Sequence, residues 1–280
     1  MPLHSLVAAA RARLRAARIP SDEADLDARL LAEHVLGWDA ARYFTHADEE
    51  APAGFADRYD ALVARRAARE PVAYIVGRQE FWVLSFEVSP AVLIPRPETE
   101  LLVEAALERV DARRVVDVGT GSGCIAVAIA HERRDVRVVA TDSSSAALDV
   151  ARRNASTHGV ADRISFARED LFDGLTGAFD LIVSNPPYVP DGDRASLQPE
   201  VRDFEPGEAL FAGADGLDVI RALVAQAPGR LTPGGALLFE FGFGQADAVA
   251  SLLSGAAGLT MLDLRRDLQG IPRVAIASRE

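Results

Sequence analysis

The sequence contains no lysine. All 30 basic residues are arginine, set against 42 acids, and the formal net charge is −12. That balance argues against nonspecific nucleic-acid binding, for which a basic surface normally supplies the affinity. The missing lysine itself is composition bias rather than chemistry. Cysteine is nearly absent too: Cys124 stands alone, so no internal disulfide is possible, which suits a reducing cytoplasm. No apolar run reaches the length of a membrane span. Histidines 4, 34, 46, 131 and 158 are scattered, and with one cysteine they give no metal-ligand spacing, so no metal is expected. The Ala- and Arg-rich start, "MPLHSLVAAARARLRAARIP", lacks the ordered regions of a signal peptide. Its Leu3, Leu6, Val7 and Leu14 instead fit one face of a short helix. The expectation is a cytoplasmic protein with no membrane or direct nucleic-acid contact.

What is present is ample apolar material: 49% of 280 residues, enough for one large or two ordinary domains. Residues 1–75 read as helices only. "SDEADLDARLLAEHVLG" suggests a helix with Ser21 as N-cap, acids in its first turn and Gly37 as C-cap. "EFWVLSFEVSPAVLIP" alternates and carries β-branched and aromatic residues, so residues 76–96 read as a linking hairpin. From residue 97 to 280 the pattern becomes helices alternating with short apolar runs: "RRVVDVG", "VRVVATD", "FDLIVSN" and "GALLFEFG". "LTMLDLRRD" and "PRVAIASRE" follow as two more strands. Strands buried on both faces and alternating with helices indicate an α/β, doubly wound, mostly parallel sheet. Ligands of such sheets bind at the strand ends.

The first of those ends is "VVDVGTGSGC", a strand entering a glycine loop with Gly119, Gly121 and Gly123. The dinucleotide fingerprint places its third glycine one position later, which disfavours a nicotinamide dehydrogenase. Asp142 closes the next strand, 23 residues after Gly119, near the spacing of an acid that binds ribose hydroxyls. Asp170 and Leu171 reach the same edge after the third strand. Any one such acid is as often a helix N-cap or a solvated loop residue; three successive strand ends able to hold a ligand argue together. This succession resembles the class I S-adenosylmethionine-dependent methyltransferases over about residues 95–280. The resemblance implies a seven-stranded sheet, with Asp117, Gly119, Thr120, Gly121, Ser122 and Gly123 holding the methionine part of S-adenosylmethionine. Asp142 would hold the ribose, and Asp170 with Leu171 the adenine. At 171 an aromatic would stack better on the base. Cys124 has no basic neighbour in sequence to lower its pKa and reads as structural.

The fourth strand delivers "SNPPYVP" to the same edge. A conjugated acceptor nitrogen is a poor nucleophile, and a protein helps by accepting its N–H hydrogens. Asn185 offers a side-chain oxygen and Pro186 a carbonyl whose direction the prolines restrict, while Tyr188 packs on the flat group. "NPPY" resembles the signature of methyltransferases acting on adenine N6, guanine N2 or a glutamine amide. "PVAYIVGRQEFW", "VSPAVLIPRPETE", "VRDFEPGEALFAGADGLD" and "RRDLQGIPRVAIASR", with the helical N-terminal region, resemble the release factor glutamine methyltransferase family (PrmC, also called HemK) over essentially the whole chain. The resemblance implies methylation of the glutamine amide (N5) in the Gly-Gly-Gln motif of class I peptide chain release factors, hence a part in translation termination. It implies that Asn185, Pro186, Pro187 and Tyr188 bind that glutamine, that Phe81, Arg96 and Pro97 wall the pocket, and that the helical domain docks the protein substrate. Phe81 and Trp82 read equally as hairpin core, and Arg96 as a surface ion pair with Glu98 or Glu100. The alternatives are a ribosomal-protein glutamine methyltransferase, an N6-adenine nucleic-acid methyltransferase, and a non-catalytic ligand-binding module.

Overall fold

The computed structural model describes residues 1–280. The chain divides into two compact units, Met1–Arg78 with Gln198–Phe204, and Gln79–Leu197 with Glu205–Glu280. Of the expected hairpin at 76–96, the first three residues belong to the helical unit and the rest to the larger one. A seven-residue piece of the later sequence joins the helical unit, which no local pattern announces. No helix is long and apolar enough to cross a membrane.

In the helical unit the main helices are Leu3–Ala16, Ser21–Leu36 and Phe55–Ala67. Leu3, Val7, Ala10 and Leu14 recur at helical spacing and are buried together. They pack with Ala28 and Leu31 of the second helix and with Phe55, Tyr59 and Val63 of the third. Gly37 ends the second helix at φ 65°, a left-handed conformation that glycine adopts without a Cβ penalty. Ser21 is not the cap. Pro20 takes the N-cap position with extended backbone and no side-chain bond, so Ser21 already lies in the first turn.

Beside this apolar core lies a buried ion cluster. Arg66 donates from Nε to Asp27 at 2.6 Å and from Nη1 to Glu200 at 2.7 Å, and Arg69 donates to the other Glu200 oxygen at 2.6 Å. Glu200 sits on the helix Pro199–Phe204, so the cluster fastens that segment into the helical unit.

The larger unit starts with the hairpin strands β1 (Arg78–Phe81, with Arg78 the last residue of the helical unit) and β2 (Leu84–Glu87). The main sheet follows: β3 (Arg114–Val118), β4 (Arg137–Asp142), β5 (Ile164–Arg168), β6 (Phe179–Ser184), β7 (Leu231–Glu240), β8 (Leu259–Arg266) and β9 (Pro272–Arg279). Its order is β5-β4-β3-β6-β7-β9-β8, with β9 antiparallel to both neighbours and the other pairings parallel. Successive residues serve opposite faces: Val115 enters one apolar core and Val116 the other. The chain winds outward from β3 through β4 to β5, then returns to lay β6 on the other side of β3. That reversal opens a crevice at the carboxyl ends of β3 and β6, where sheets of this type bind ligands.

Candidate active site

Asp117 is fully buried near the end of β3. One carboxylate oxygen accepts from Thr120 Oγ1 at 2.6 Å and from the Ala126 amide at 3.2 Å, while the other has no partner. Burial pushes its pKa up to about 7. A buried acceptor with no donor is expensive to leave so, and a cationic donor would answer both the vacant oxygen and the raised pKa. Thr120 contributes backbone to the crevice, since its hydroxyl is committed to Asp117. Gly119 and Gly121 have φ of 72° and 54°, and a Cβ on either would meet nothing within 4 Å. Gly123, at φ 81°, differs: its Cβ would lie 3.0 Å from that of Ala151, so this glycine permits close packing of helix on loop.

Asp142 ends β4 and fixes the loop from the other side. Its two oxygens accept from the amides of Gly121 and Ser144, each at 2.9 Å. Burial raises its pKa, and those two amides act against the rise. Asn154, missed in the sequence, completes the frame. Its amide nitrogen donates to the Ser122 carbonyl at 2.8 Å and to the Glu87 carbonyl at 3.0 Å, and its oxygen accepts from the Glu87 amide at 2.7 Å. One buried side chain thus ties the glycine loop to the hairpin.

Further walls come from the segments that follow β5 and β6. Asp170 and Leu171 follow β5 and line the crevice, with Leu171 held at φ 52°. A non-glycine residue there is strained, a condition that clusters at ligand sites. Asn185, Pro186 and Pro187 follow β6 and line the same crevice. Asn185 Nδ2 donates to Thr99 Oγ1 at 3.0 Å, and the Tyr188 hydroxyl donates to Glu240 at 3.0 Å. Burial, with the Glu240 charge beside it, raises the Tyr188 pKa, so the phenol keeps its proton. Cys124 borders the crevice, but burial pushes its thiol up to about 12 and leaves it no role as a nucleophile.

Three expected wall residues behave differently from one another. Arg96 lines the crevice, and its partner is neither Glu98 nor Glu100 but the buried Glu205. Glu205 also accepts from the Ile94 amide at 3.2 Å. "LIPRPETE" and "FEPGEAL" are therefore joined in space, and Pro95, Arg96, Pro206 and Glu208 all line the crevice. Phe81 is 2% exposed and packs edge-on against Phe86 in the core at a ring distance of 6.0 Å. It is not on the crevice wall. Pro97 does not line it either; it opens the short 3-10 helix Pro97–Thr99, whose fixed backbone presents Thr99.

Comparison with known proteins gives the family. Residues 5–77 match the family model of the PrmC N-terminal domain and residues 97–198 that of the methyltransferase small domain. A release factor glutamine methyltransferase of Xylella fastidiosa is 49% identical, covering 90% of this chain and 92% of its own. The chain belongs to the release factor glutamine methyltransferase family. A second relative of that name, from Cereibacter sphaeroides, is 48% identical over 96% of this chain and 95% of its own. Among solved structures, a methyltransferase from Pyrococcus furiosus matches 78% of this chain and 96% of its own with a TM-score of 0.53. At 17% identity that likeness speaks for the fold alone. Membership in the release factor glutamine methyltransferase family makes the chain an enzyme of methyl transfer to protein.

Proposed function

We propose that this enzyme methylates the glutamine side-chain amide in the Gly-Gly-Gln motif of class I peptide chain release factors, using S-adenosylmethionine, in the cytoplasm. One observation carries the reading: Asn185 stands in the same crevice as the glycine loop and Asp142, with its amide nitrogen bonded to protein. Its oxygen is thereby left for an incoming N–H.

The crevice fits the cofactor. The unpartnered oxygen of Asp117 would accept from the cofactor's ammonium, directly or through water. The glycine-loop backbone would border the methionine part, Asp142 would accept from the ribose hydroxyls, and Asp170 with Leu171 would flank the adenine. When bound, the cofactor supplies an electrophilic methyl group. The chain's own part is to orient the acceptor. Asn185 Oδ1 accepts one hydrogen of the glutamine amide and the Pro186 carbonyl the other, which turns the nitrogen lone pair toward the methyl position. Tyr188 does not take its expected place on the flat amide, because it does not line the crevice; its ring packs against an apolar core and its hydroxyl, tied to Glu240, anchors the end of the motif. The helical unit serves to hold the protein substrate. A conjugated amide nitrogen gains from being fixed in this way, because orientation supplies much of what a stronger nucleophile would.

The direct test is incubation of the purified protein with methyl-labelled S-adenosylmethionine and a class I release factor. Label is expected in the wild-type factor and not in one carrying Gln→Ala in its Gly-Gly-Gln motif. Label that survives that change, or that enters a ribosomal protein or DNA instead, overturns the reading. A second test addresses the ribose acid. Asp142→Ala removes a charge-assisted acceptor worth about 1.5–3 kcal/mol, so cofactor affinity should fall about tenfold or more by titration calorimetry. Unchanged affinity in a folded variant removes Asp142 from the site.

A further inference from the structure

Glu240 enters the scheme above only as the partner of the Tyr188 hydroxyl, yet it is 1% exposed and stands at the end of β7. Buried acids without a bound cation are held for a reason, since burial penalises their charge. Both of its oxygens are engaged by hydroxyls. Thr99 Oγ1 donates to one at 2.7 Å, and the Tyr188 hydroxyl donates to the other at 3.0 Å. Burial pushes the Glu240 carboxyl up, while these two donors favour the charged form and act against that rise. Arg273 on β9 also favours the charge, and Glu98 opposes it.

The Thr99 hydroxyl gives its single proton to Glu240, so its oxygen is left able only to accept. The neighbour it accepts from is Asn185, at 3.0 Å. A side-chain amide has two faces of similar shape and opposite hydrogen-bonding sense. Against an oxygen that can only accept, just one orientation works, with nitrogen toward Thr99 and oxygen away from it.

We propose that Glu240, acting through Thr99, is the positioning group that sets the orientation of the Asn185 amide, and that the same side chain anchors Tyr188, so that one buried carboxyl group fixes both ends of Asn-Pro-Pro-Tyr. The idea rests on the proposed reaction for its meaning, because an Asn185 turned the wrong way would present N–H to N–H at the substrate amide. Neither Glu240 nor Thr99 is a catalytic residue in this scheme; both act through Asn185, which touches substrate.

The test uses the full chain with Thr99→Val, Thr99→Ser and Glu240→Gln, each alone and on an Asn185→Ala background. Valine keeps the shape and removes the acceptor. It should lower kcat on the order of a hundredfold, as misplaced reacting groups do, with KM for the release factor shifting less than about threefold. Serine restores the hydroxyl and should recover most of the rate. In the double variant Thr99→Val should add less than about twofold to the effect of Asn185→Ala, because its effect passes through that side chain. Glu240→Gln keeps the volume but has one acceptor oxygen in place of two, so it should also lower kcat. Hydrogen exchange of the Asn185 side-chain amide, read by NMR and assigned by its loss in Asn185→Ala, needs no substrate. It should be slow in the wild type and Thr99→Ser, and fast in Thr99→Val. An unchanged kcat in Thr99→Val or Glu240→Gln overturns the proposal. So do equal losses in the valine and serine variants, full multiplicity with Asn185→Ala, or amide protection that Thr99→Val leaves intact. A wild-type protein inert toward release factors would sink the substrate reading alone, and the exchange measurement would still decide the relay.

Discussion

Asn185→Ala lowers methyl transfer to a release factor on the order of a hundredfold, because the acceptor nitrogen loses the group that aims its lone pair. Cofactor affinity stays within about threefold and the thermal midpoint nearly unchanged, since a half-buried side chain holding one side-chain hydrogen bond contributes only about 1 kcal/mol. Asn185→Asp is the sharper variant. It keeps an acceptor oxygen, and if acceptance alone mattered it would outperform alanine. Here the amide nitrogen donates to Thr99, whose own proton goes to Glu240. Aspartate offers no donor there and brings a negative charge toward the buried Glu240. The expected result is that aspartate fails as alanine does. Wild-type rates from Asn185→Ala would end the role assigned to the motif, and a largely active Asn185→Asp would show that the donor side is dispensable.

The largest expected effect on stability lies elsewhere, in the helical unit. Arg66 is 3% exposed and joins Asp27 and Glu200, themselves 5% and 7% exposed. Arg66→Ala strands Asp27 away from water and leaves Glu200 with Arg69 alone. Breaking a buried pair from one side costs about 3–5 kcal/mol, far more than the pair contributes relative to an apolar substitute. For a chain of this size that is a fall in midpoint on the order of 10 °C, measured by circular dichroism. Urea unfolding of the same variant gives the free energy directly. Arg66→Lys keeps the charge but has no planar fork with which to reach two acids, so it should fall between. A loss below about 1 kcal/mol for Arg66→Ala would mean the cluster behaves as a solvated surface pair.

How much of this was legible before any fold was known follows from the range of the interactions. Glycines at 119, 121 and 123 after an apolar run, the acid at 142, and the strands on either side are local patterns, fixed by backbone freedom and by burial on both faces of the sheet. They placed the sheet and most of its carboxyl edge correctly. Asn185 and its prolines are a contiguous word, readable for the same reason. Polar partnerships were not readable. Arg96 pairs with a residue 109 positions away, Thr99 with one 141 away, and Asn185 with one 86 away. Which acid an arginine meets depends on strand order and register, and several nearby acids look equally suitable in one dimension. Phe81 shows the same limit for apolar residues: a phenylalanine suits a pocket wall or a core alike, and only the packing of the hairpin against the sheet's helices settles it. Pattern along the chain thus determined the fold class and the places of the glycine loop and of Asn-Pro-Pro-Tyr at the sheet edge. The tertiary structure alone decided which buried charges hold them in place, because hydrogen bonds select partners by position in space.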